Sequence, residues 1–307
     1  MSKLVLANSN AYNASAFSAE LTGYAAGYKV PDVTEALDFI APPVPVPSRR
    51  FEFAKFGEGD LIIDLDDERA VFGGFKTVKS SGTIENAKLV HRGLTLLIDE
   101  DEMTAGYEQR AVERLKKRLL RNELFRAITM LGTASTNTAK KWMASGNGKS
   151  TPDGDLIDLV KSVADDCGIH ANRVLMGETA WAYRYAAMIA STAPGEGSSA
   201  KLTPEQIAQF LGIDEMRLSK ERYEYTDTAD GTKKKGNIVG AAKVFAFNGS
   251  KGVDIDDPST FKRFVGDGGF KVYDEQKGVM RAITVHHYSL LAQTGVGAVR
   301  NLTISNS

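Results

Sequence analysis

The stretch AGYEQRAVERLKKRLLRNELFRAITML, residues 105–131, decides how the rest of the chain is read. It holds no Pro, and its only Gly is at position 106. Leu, Arg, Lys, Glu and Ala dominate it, and all are strong helix formers. Asp101, Glu102 and Thr104 stand just upstream, where negative charge and a cap suit the positive end of a helix. Gly132 supplies a stop. A single helix over this run spans about 40 Å at ~1.5 Å per residue, long for a compact domain.

Its apolar residues fall into two sets. Val112, Leu115 and Leu119 form one stripe, and Leu120, Leu124, Ala127, Ile128 and Leu131 a second, rotated away from the first. The pattern predicts a strut that changes its buried face halfway along. Arg110, Arg114, Lys117 and Arg121 follow at i, i+4, i+7 and i+11, a basic strip that is either simply solvated or set against a polyanion or an acidic neighbour.

Composition bounds the rest. The chain has 307 residues, 42% hydrophobic and 25% charged, enough for one large domain or two ordinary ones. The formal net charge of −1 argues against a generic nucleic-acid binder but leaves room for a local basic face. Cys167 is the single cysteine, which excludes an intrachain disulfide, makes a Cys-based zinc site improbable and fits a reducing compartment. The N-terminus lacks a signal-peptide layout, and no apolar run reaches membrane-spanning length. The sequons at Asn13, Asn248 and Asn301 carry little weight without a secretion signal.

Residues 1–40 are polar and rich in small residues, with one short helix expected over 30–40; they read as an arm tied down from outside itself. In APPVPVPSRRFEFAKFG (41–57), Pro42, Pro43, Pro45 and Pro47 impose an extended path and forbid a helix or a central strand. Val44 and Val46 make one side of that ribbon apolar, and RFEFAKF predicts an aromatic strand lying on another surface. Residues 58–100 read as a protruding two-stranded excursion. LIIDL (61–65) and KLVHRGLTLLID (88–99) are its flanks, and the Gly73-Gly74 pair is its hinge. Isolated hairpins are marginal in water, so this one is expected to rest on a neighbour.

Beyond the long helix, a strand is expected near Trp142 and a helix over 155–168, capped by Asp153 or Asp155. A buried strand at 173–177, a helix at 178–191 and a capped helix at 202–212 follow. A strand (216–225), a polar turn (228–237), a buried strand (238–248), a short turn or helix (257–265) and closing strands around Gly278 complete the chain. The class is α+β.

Motifs for chemistry fail on inspection. In GNGKST (146–151), Met143 stands where the first Gly of a phosphate-binding loop belongs, and Pro152 and Gly154 interrupt the helix that should follow. In TGVGAVRN (294–301), Arg300 replaces the third Gly of a dinucleotide fingerprint. His286 and His287 are adjacent on a strand and face opposite sides, and His91 and His170 have no partner at ligand spacing. Cys167 has no electropositive setting. The residues point to no catalytic site, cofactor or metal.

Taken in order, the segments IAPPVPVPSRRFEFAKF, SSGTIENAKLVHRGLTLLIDEDE, EQRAVERLKKRLLRNELFRAITML, TPDGDLIDLV, NRVLMGETAW, LTPEQIAQFLGID and VFAFN resemble the major capsid proteins of tailed double-stranded DNA bacteriophages, with the Hong Kong 97-type fold. No single motif is diagnostic; the likeness is the concordance of many weak matches along nearly the whole chain. It implies an N-terminal arm (1–50), an extended E-loop (51–100), a P-domain with the spine helix (101–154), an A-domain (155–265) and C-terminal strands returning to the P-domain (266–307). It also implies a structural, non-enzymatic protein of the virion, assembled in the host cytoplasm as hexamers and pentamers of an icosahedral shell.

The implied partners are further copies of the chain, a portal protein and packaged DNA, with scaffolding, maturation-protease or decoration proteins as optional ones and no membrane. Candidate assembly or DNA-facing residues are Arg110, Arg114, Lys117, Arg121, Gly73 and Gly74. Lys76, Lys79 and Lys88 lie where some such proteins cross-link, but no acceptor motif matches, so that chemistry is not carried over. The alternatives are an encapsulin-like shell with protein cargo and, from another class, a nucleotide-binding enzyme using GNGKST.

Overall fold

A computed structural model describes residues 16–57, 83–142, 151–190, 199–226, 231–240, 242–250, 257 and 259–306. Two short helices come first, α1 (Ala19–Gly27) and α2 (Pro31–Ile40). The strands β1 (Pro43–Val46), β2 (Arg50–Lys55), β3 (Thr83–Lys88) and β4 (Val90–Asp99) lead to the long helix α3 (Tyr107–Ala134). Next are β5 (Thr136–Lys141), α4 (Pro152–Cys167), β6 (Arg173–Gly177), α5 (Glu178–Ala190), α6 (Pro204–Leu211) and β7 (Glu215–Ser219). The chain ends with β8 (Arg222–Thr226), β9 (Lys233–Asn237), β10 (Lys243–Phe247), β11 (Phe261–Gly266), β12 (Lys271–Lys277), β13 (Met280–Gln293) and β14 (Val299–Ser305).

The long helix is single, as its composition predicts, but its ends differ from expectation. It starts after Gly106, which takes a left-handed conformation (φ +73°), with no side-chain cap. The upstream acids instead form a short 3-10 turn, Glu100–Glu102. It also runs through Gly132; one Gly costs only about 1 kcal/mol in a helix.

The two stripes prove to be one. Buried positions come at four-residue intervals: Ala111 and Val112, Leu115 and Lys116, Leu119 and Leu120, Glu123 and Leu124, Ala127 and Ile128, then Leu131. Four residues advance roughly 400°, so the stripe winds by roughly 40° per step and never breaks. What does change at Leu119-Leu120 is the partner. Val112, Leu115 and Leu119 pack with Leu21, Val272, Ile283 and Val285. Leu120, Leu124, Ile128 and Leu131 pack with Leu37, Phe245, Phe247 and Phe261.

Two five-stranded sheets supply those partners. In the first, β13 pairs with β11 and β12 along one side and β4 along the other, and β1 lies parallel to β11 at the edge. The edge is where a strand holding Pro43 and Pro45 belongs, since Pro cannot donate to a ladder. Gly278 (φ +64°) makes the turn from β12 to β13. The second sheet has the order β5-β14-β10-β6-β7. It is covered by α4, α5 and α6 around Trp142, Leu156, Val163, Met176 and Val244. Two ribbons, β2–β3 and β8–β9, stand outside both sheets.

Residues 17–40 are tied down as expected, and by the chain's own core: Leu21 and Ala25 of α1, and Val33, Leu37 and Ile40 of α2, are buried against α3 and the sheets. Several other expectations are corrected. The described base of the excursion is RFEFAK against TIENAK, and KLVHRGLTLLID, read as a flank, has its partner elsewhere. The latter segment supplies β4, which pairs with β13 because its Leu94, Leu96 and Ile98 meet the first half of α3. LIIDL, Gly73 and Gly74 lie outside the described residues, as does GNGKST apart from Thr151.

Residues 216–225 split into β7 and β8, and KKKGN, read as turn, is β9. FKRFVG is strand β11 rather than a turn or helix. The C-terminal strands also divide. β12 and β13 stay in the first sheet, whereas β14 pairs with β10 and β5 in the second. Neither Asp153 nor Asp155 caps α4. Asp153 holds the buried Arg184 of α5 at 2.7 Å, and Asp155 accepts from Trp142 Nε1 at 2.8 Å.

Candidate functional site

The side of α3 that faces away from both sheets is cationic. Arg110, Arg114, Lys117 and Arg121 are all exposed, as their spacing predicts, and so is Arg118, which the four-residue strip left out. Arg110 donates to Thr104 Oγ1. Among the described residues, Arg114, Lys117, Arg118 and Arg121 make no ion pair.

The ribbon β8–β9 extends this surface. Its Tyr223 ring packs on Phe125 of α3 at 4.9 Å between centroids. Lys233 pairs with Glu224 at 2.9 Å, and Lys233, Lys235 and Arg118 together hold the Glu224 carboxyl below its usual range. Helix and ribbon thus meet as one basic face. The ribbon was missed because Lys233, Lys234 and Lys235 lie far from the helix cations in sequence, and only the fold brings them together.

The opposite side of α3 also carries charge, but paired and buried. Lys116 donates to the carbonyls of Ala25 and Tyr28, and burial pushes its pKa down. Glu123 is fully buried and lies 3.5 Å from Arg263 Nη1, while Arg263 Nη2 reaches Asp38 at 2.7 Å. These pairs tie α1, α2 and β11 to the helix. Their positions inside the apolar stripe, four residues from Leu120 and Leu119, are the sequence signal that could have exposed them.

The histidines also differ from expectation at one point. His286 and His287 do point to opposite faces of β13, but His91 has a partner. His91 Nε2 lies 2.9 Å from His286 Nδ1, and the His91 ring stacks on Tyr288 at 4.4 Å. Gly93 permits this: a Cβ there would sit 2.8 Å from His286 Cβ. Burial holds the His286 pKa down at about 4, and the neighbouring His91 adds to the effect. Among the described residues, no group of three or more His, Cys, Asp or Glu could hold a metal, and no helix is long and apolar enough to cross a membrane. Cys167 is buried at the end of α4.

No protein-family model matches the chain, and no curated protein matches it in sequence. Solved structures match it in fold over nearly its full length. A phage-related protein from Bordetella bronchiseptica superposes with a TM-score of 0.69 at 15% identity, covering 93% of this chain and 96% of that one. A capsid protein assigned to a prophage of Escherichia coli CFT073 gives 0.51 at 12% identity, covering 94% and 99%. The chain has the fold of a phage capsid protein. A protein of Microbacterium phage Oxtober96 gives 0.54 at 12% identity, covering 88% and 91%. At such identities it is the path of the backbone that is shared. Within that capsid fold, the basic outer face of α3 belongs to this chain's own side chains.

Proposed function

We propose that this protein is the major capsid protein of a tailed phage, a structural subunit that assembles with copies of itself into a closed shell around double-stranded DNA. The observation that carries the proposal is the match in fold to a prophage capsid protein over 94% of the chain. Two features of the subunit support it. The ribbon β2–β3 leaves most of its β3 strand in solvent, and Ile84 is 70% exposed. Val279 and Leu97, at the far end of the first sheet, are 63% and 53% exposed. Apolar residues left in water at the extremities of a well-packed chain suit contacts between copies.

In the Hong Kong 97-type scheme, the first sheet with α3 is the P-domain, the second sheet with α4, α5 and α6 is the A-domain, and β2–β3 is the base of the E-loop. The capsomers are hexamers and pentamers. The basic face of α3 and β9 looks toward the packaged DNA, where cations release counterions from phosphate. Copies of the chain and a portal protein are the expected partners, in the virion and in the host cytoplasm where it assembles.

Electron microscopy of the purified, overexpressed chain tests the reading: shells, tubes or ring-shaped capsomers are expected, and a uniform monomer at high concentration overturns it. A second arm sharpens it. Replacing residues 60–80 by a short Gly-Ser turn spares β2 and β3, so a cooperative melt near the parent's is expected together with loss of closed particles. Normal particles from that variant would remove the loop from the lattice.

A further inference from the structure

The second sheet ends at β7, and nothing among the described residues pairs with its outer edge. The backbone orientation there follows from the ladder. Glu215 N–H donates to Asn172 O, on the β6 side, and β7 runs parallel to β6 in the register Arg173↔Glu215. Successive residues of a strand point their N–H and C=O groups to alternate sides. Glu215, Arg217 and Ser219 therefore bond to β6, and Met216 and Leu218 present theirs outward. Among the described residues, no hydrogen bond takes these outward groups.

That edge opens into a trough of about 820 Å³. Every residue from Ile213 to Glu221 lines it, so the strand contributes its edge and not merely one face. The walls come from opposite faces of the sheet: Val33 and Ala36 of α2 with Leu124 of α3 on one side, Ala208 of α6 on the other. An unpaired strand edge is normally blocked or covered, because it templates pairing with another chain. Here it is recessed between helices and left unpaired by the described residues.

Charge is divided between the two walls. On the α6 side, Glu205 is held at its helix N-terminus by its own N–H and the Thr203 hydroxyl, which keep its carboxyl below the usual range. Asp214 accepts from Asn172 Nδ2 at 3.3 Å, and Glu221 accepts from Ser219 Oγ at 2.8 Å. On the α2–α3 side, Arg217 stands over the Phe39 ring and pairs with Glu215 at 2.5 Å and with Glu35 of α2 at 3.8 Å. Lys117 and Arg121 of α3 make no ion pair among the described residues, and Asp32 of α2 is the one acid of that wall that lines the trough without a partner. Arg217 is offset by Glu215 and Glu35, so the positive charge of this side is that of Lys117 and Arg121 on α3, and the core beside Met216 is apolar.

We propose that the edge of β7 is a strand-addition site for an acidic, extended peptide segment of a partner protein. Its backbone pairs with Met216 and Leu218. One alternate set of its side chains is apolar and turns to the α6 wall, and the other is carboxylate and meets Lys117 and Arg121. Main-chain bonds give the affinity and the alternating side chains the selectivity, as in other strand-addition complexes. The β7 strand is five residues long, roughly 17 Å of ladder, which matches a peptide of about five to seven residues. The site is formed within one chain and does not depend on the shell reading.

The test uses the full chain and a fluorescently labelled probe, acetyl-Asp-Leu-Glu-Val-Asp-Ile-Glu-amide, with anisotropy as the readout. Saturable binding is expected, weakened at least tenfold in the Lys117→Glu/Arg121→Glu variant, and absent for the matching peptide with Lys at the acidic positions. Two N-methylated probes isolate the ladder without touching the protein's fold. Methylation of one alternate set of amides should abolish binding, and methylation of the other set should leave it within twofold. Hydrogen exchange should slow at the Met216 and Leu218 amides when the probe is bound. No saturable binding, equal tolerance of both methylated probes, or protection elsewhere would each overturn the proposal.

Discussion

The two sides of α3 obey different rules. On the inner side, eleven residues are buried in a winding stripe, and even the ions among them, Lys116 and Glu123, are matched to partners. On the outer side, the five cations at positions 110, 114, 117, 118 and 121 face solvent; Arg110 donates to Thr104 and Arg118 lies within electrostatic reach of Glu224, while Arg114, Lys117 and Arg121 make no hydrogen bond or ion pair among the described residues. Helix propensity cannot account for the contrast, since the Leu and Ala of the inner side and the Arg and Lys of the outer side are all good helix formers. The inner side is set by what the subunit must bury to fold. The outer cations make no ion pair among the described residues, and so are free to serve a contact outside the chain. The contrast predicts that substitutions on the two sides will affect different properties.

The largest effect on stability belongs to the inner side. Leu124 is 0% exposed and touches the cluster that joins α2, α3, β10 and β11. Leu124→Ala removes transfer energy and leaves a cavity, costing about 3 kcal/mol. Urea unfolding of the unassembled chain should show a lower midpoint with an unchanged slope. A shift below about 1 kcal/mol would mean that the inner stripe is not the helix's anchor.

Next comes an acid effect on the same side. His287 is 3% exposed, stacks on Phe270 at 4.6 Å, and looks toward Glu123 and Arg126 of α3, Arg263 of β11 and Arg92 of β4. Burial holds its pKa down at about 4, and the three arginines add to that while Glu123 opposes it. In the unfolded chain the ring titrates near its ordinary 6.5. The unfolded state therefore binds more protons between those values. The stability from the neutral ring is full above about pH 6.5 and falls as pH drops to about 4, by up to about 3 kcal/mol. A His287→Gln variant should show a flatter stability profile across that window; an identical slope would assign the acid sensitivity elsewhere.

How much of this was legible beforehand follows from the range of each signal. The long helix, β6, α5, α6 and the β12–β13 turn rest on local pattern, and the cap expected for the helix over 202–212 is made by Thr203, with Gln206 completing a capping box. Pairing across long separations was not legible. RFEFAK and KLVHRGLTLLID are both strand-like, but only the packing of Leu94 and Leu96 under α3 sends the second to β13, near the other end of the chain. The same limit hid the His91–His286 contact and the meeting of β9 with the basic helix. The four-residue strip was visible as spacing; that it is exposed and extended by Arg118 and the ribbon needed the fold.

The smallest effect on stability is expected where the effect on function is greatest. Changing Arg110, Arg114, Lys117 and Arg121 to Gln replaces four exposed cations by a good helix former of similar length. Exposed substitutions of this kind usually shift stability by no more than about 0.5 kcal/mol, and removing like charges at i, i+4 relieves some repulsion along the helix. The unfolding midpoint should therefore stay near the parent's. If the face meets DNA, particles of the variant should retain less DNA at a given salt concentration. The residual binding should also vary less steeply with salt, by about 0.9 in the logarithmic slope for each phosphate that the variant no longer neutralises. Unchanged DNA retention together with an unchanged salt slope would leave the face as a solvated surface. A large drop in the midpoint would show instead that the two sides of the helix are not separable, and that the outer cations take part in folding after all.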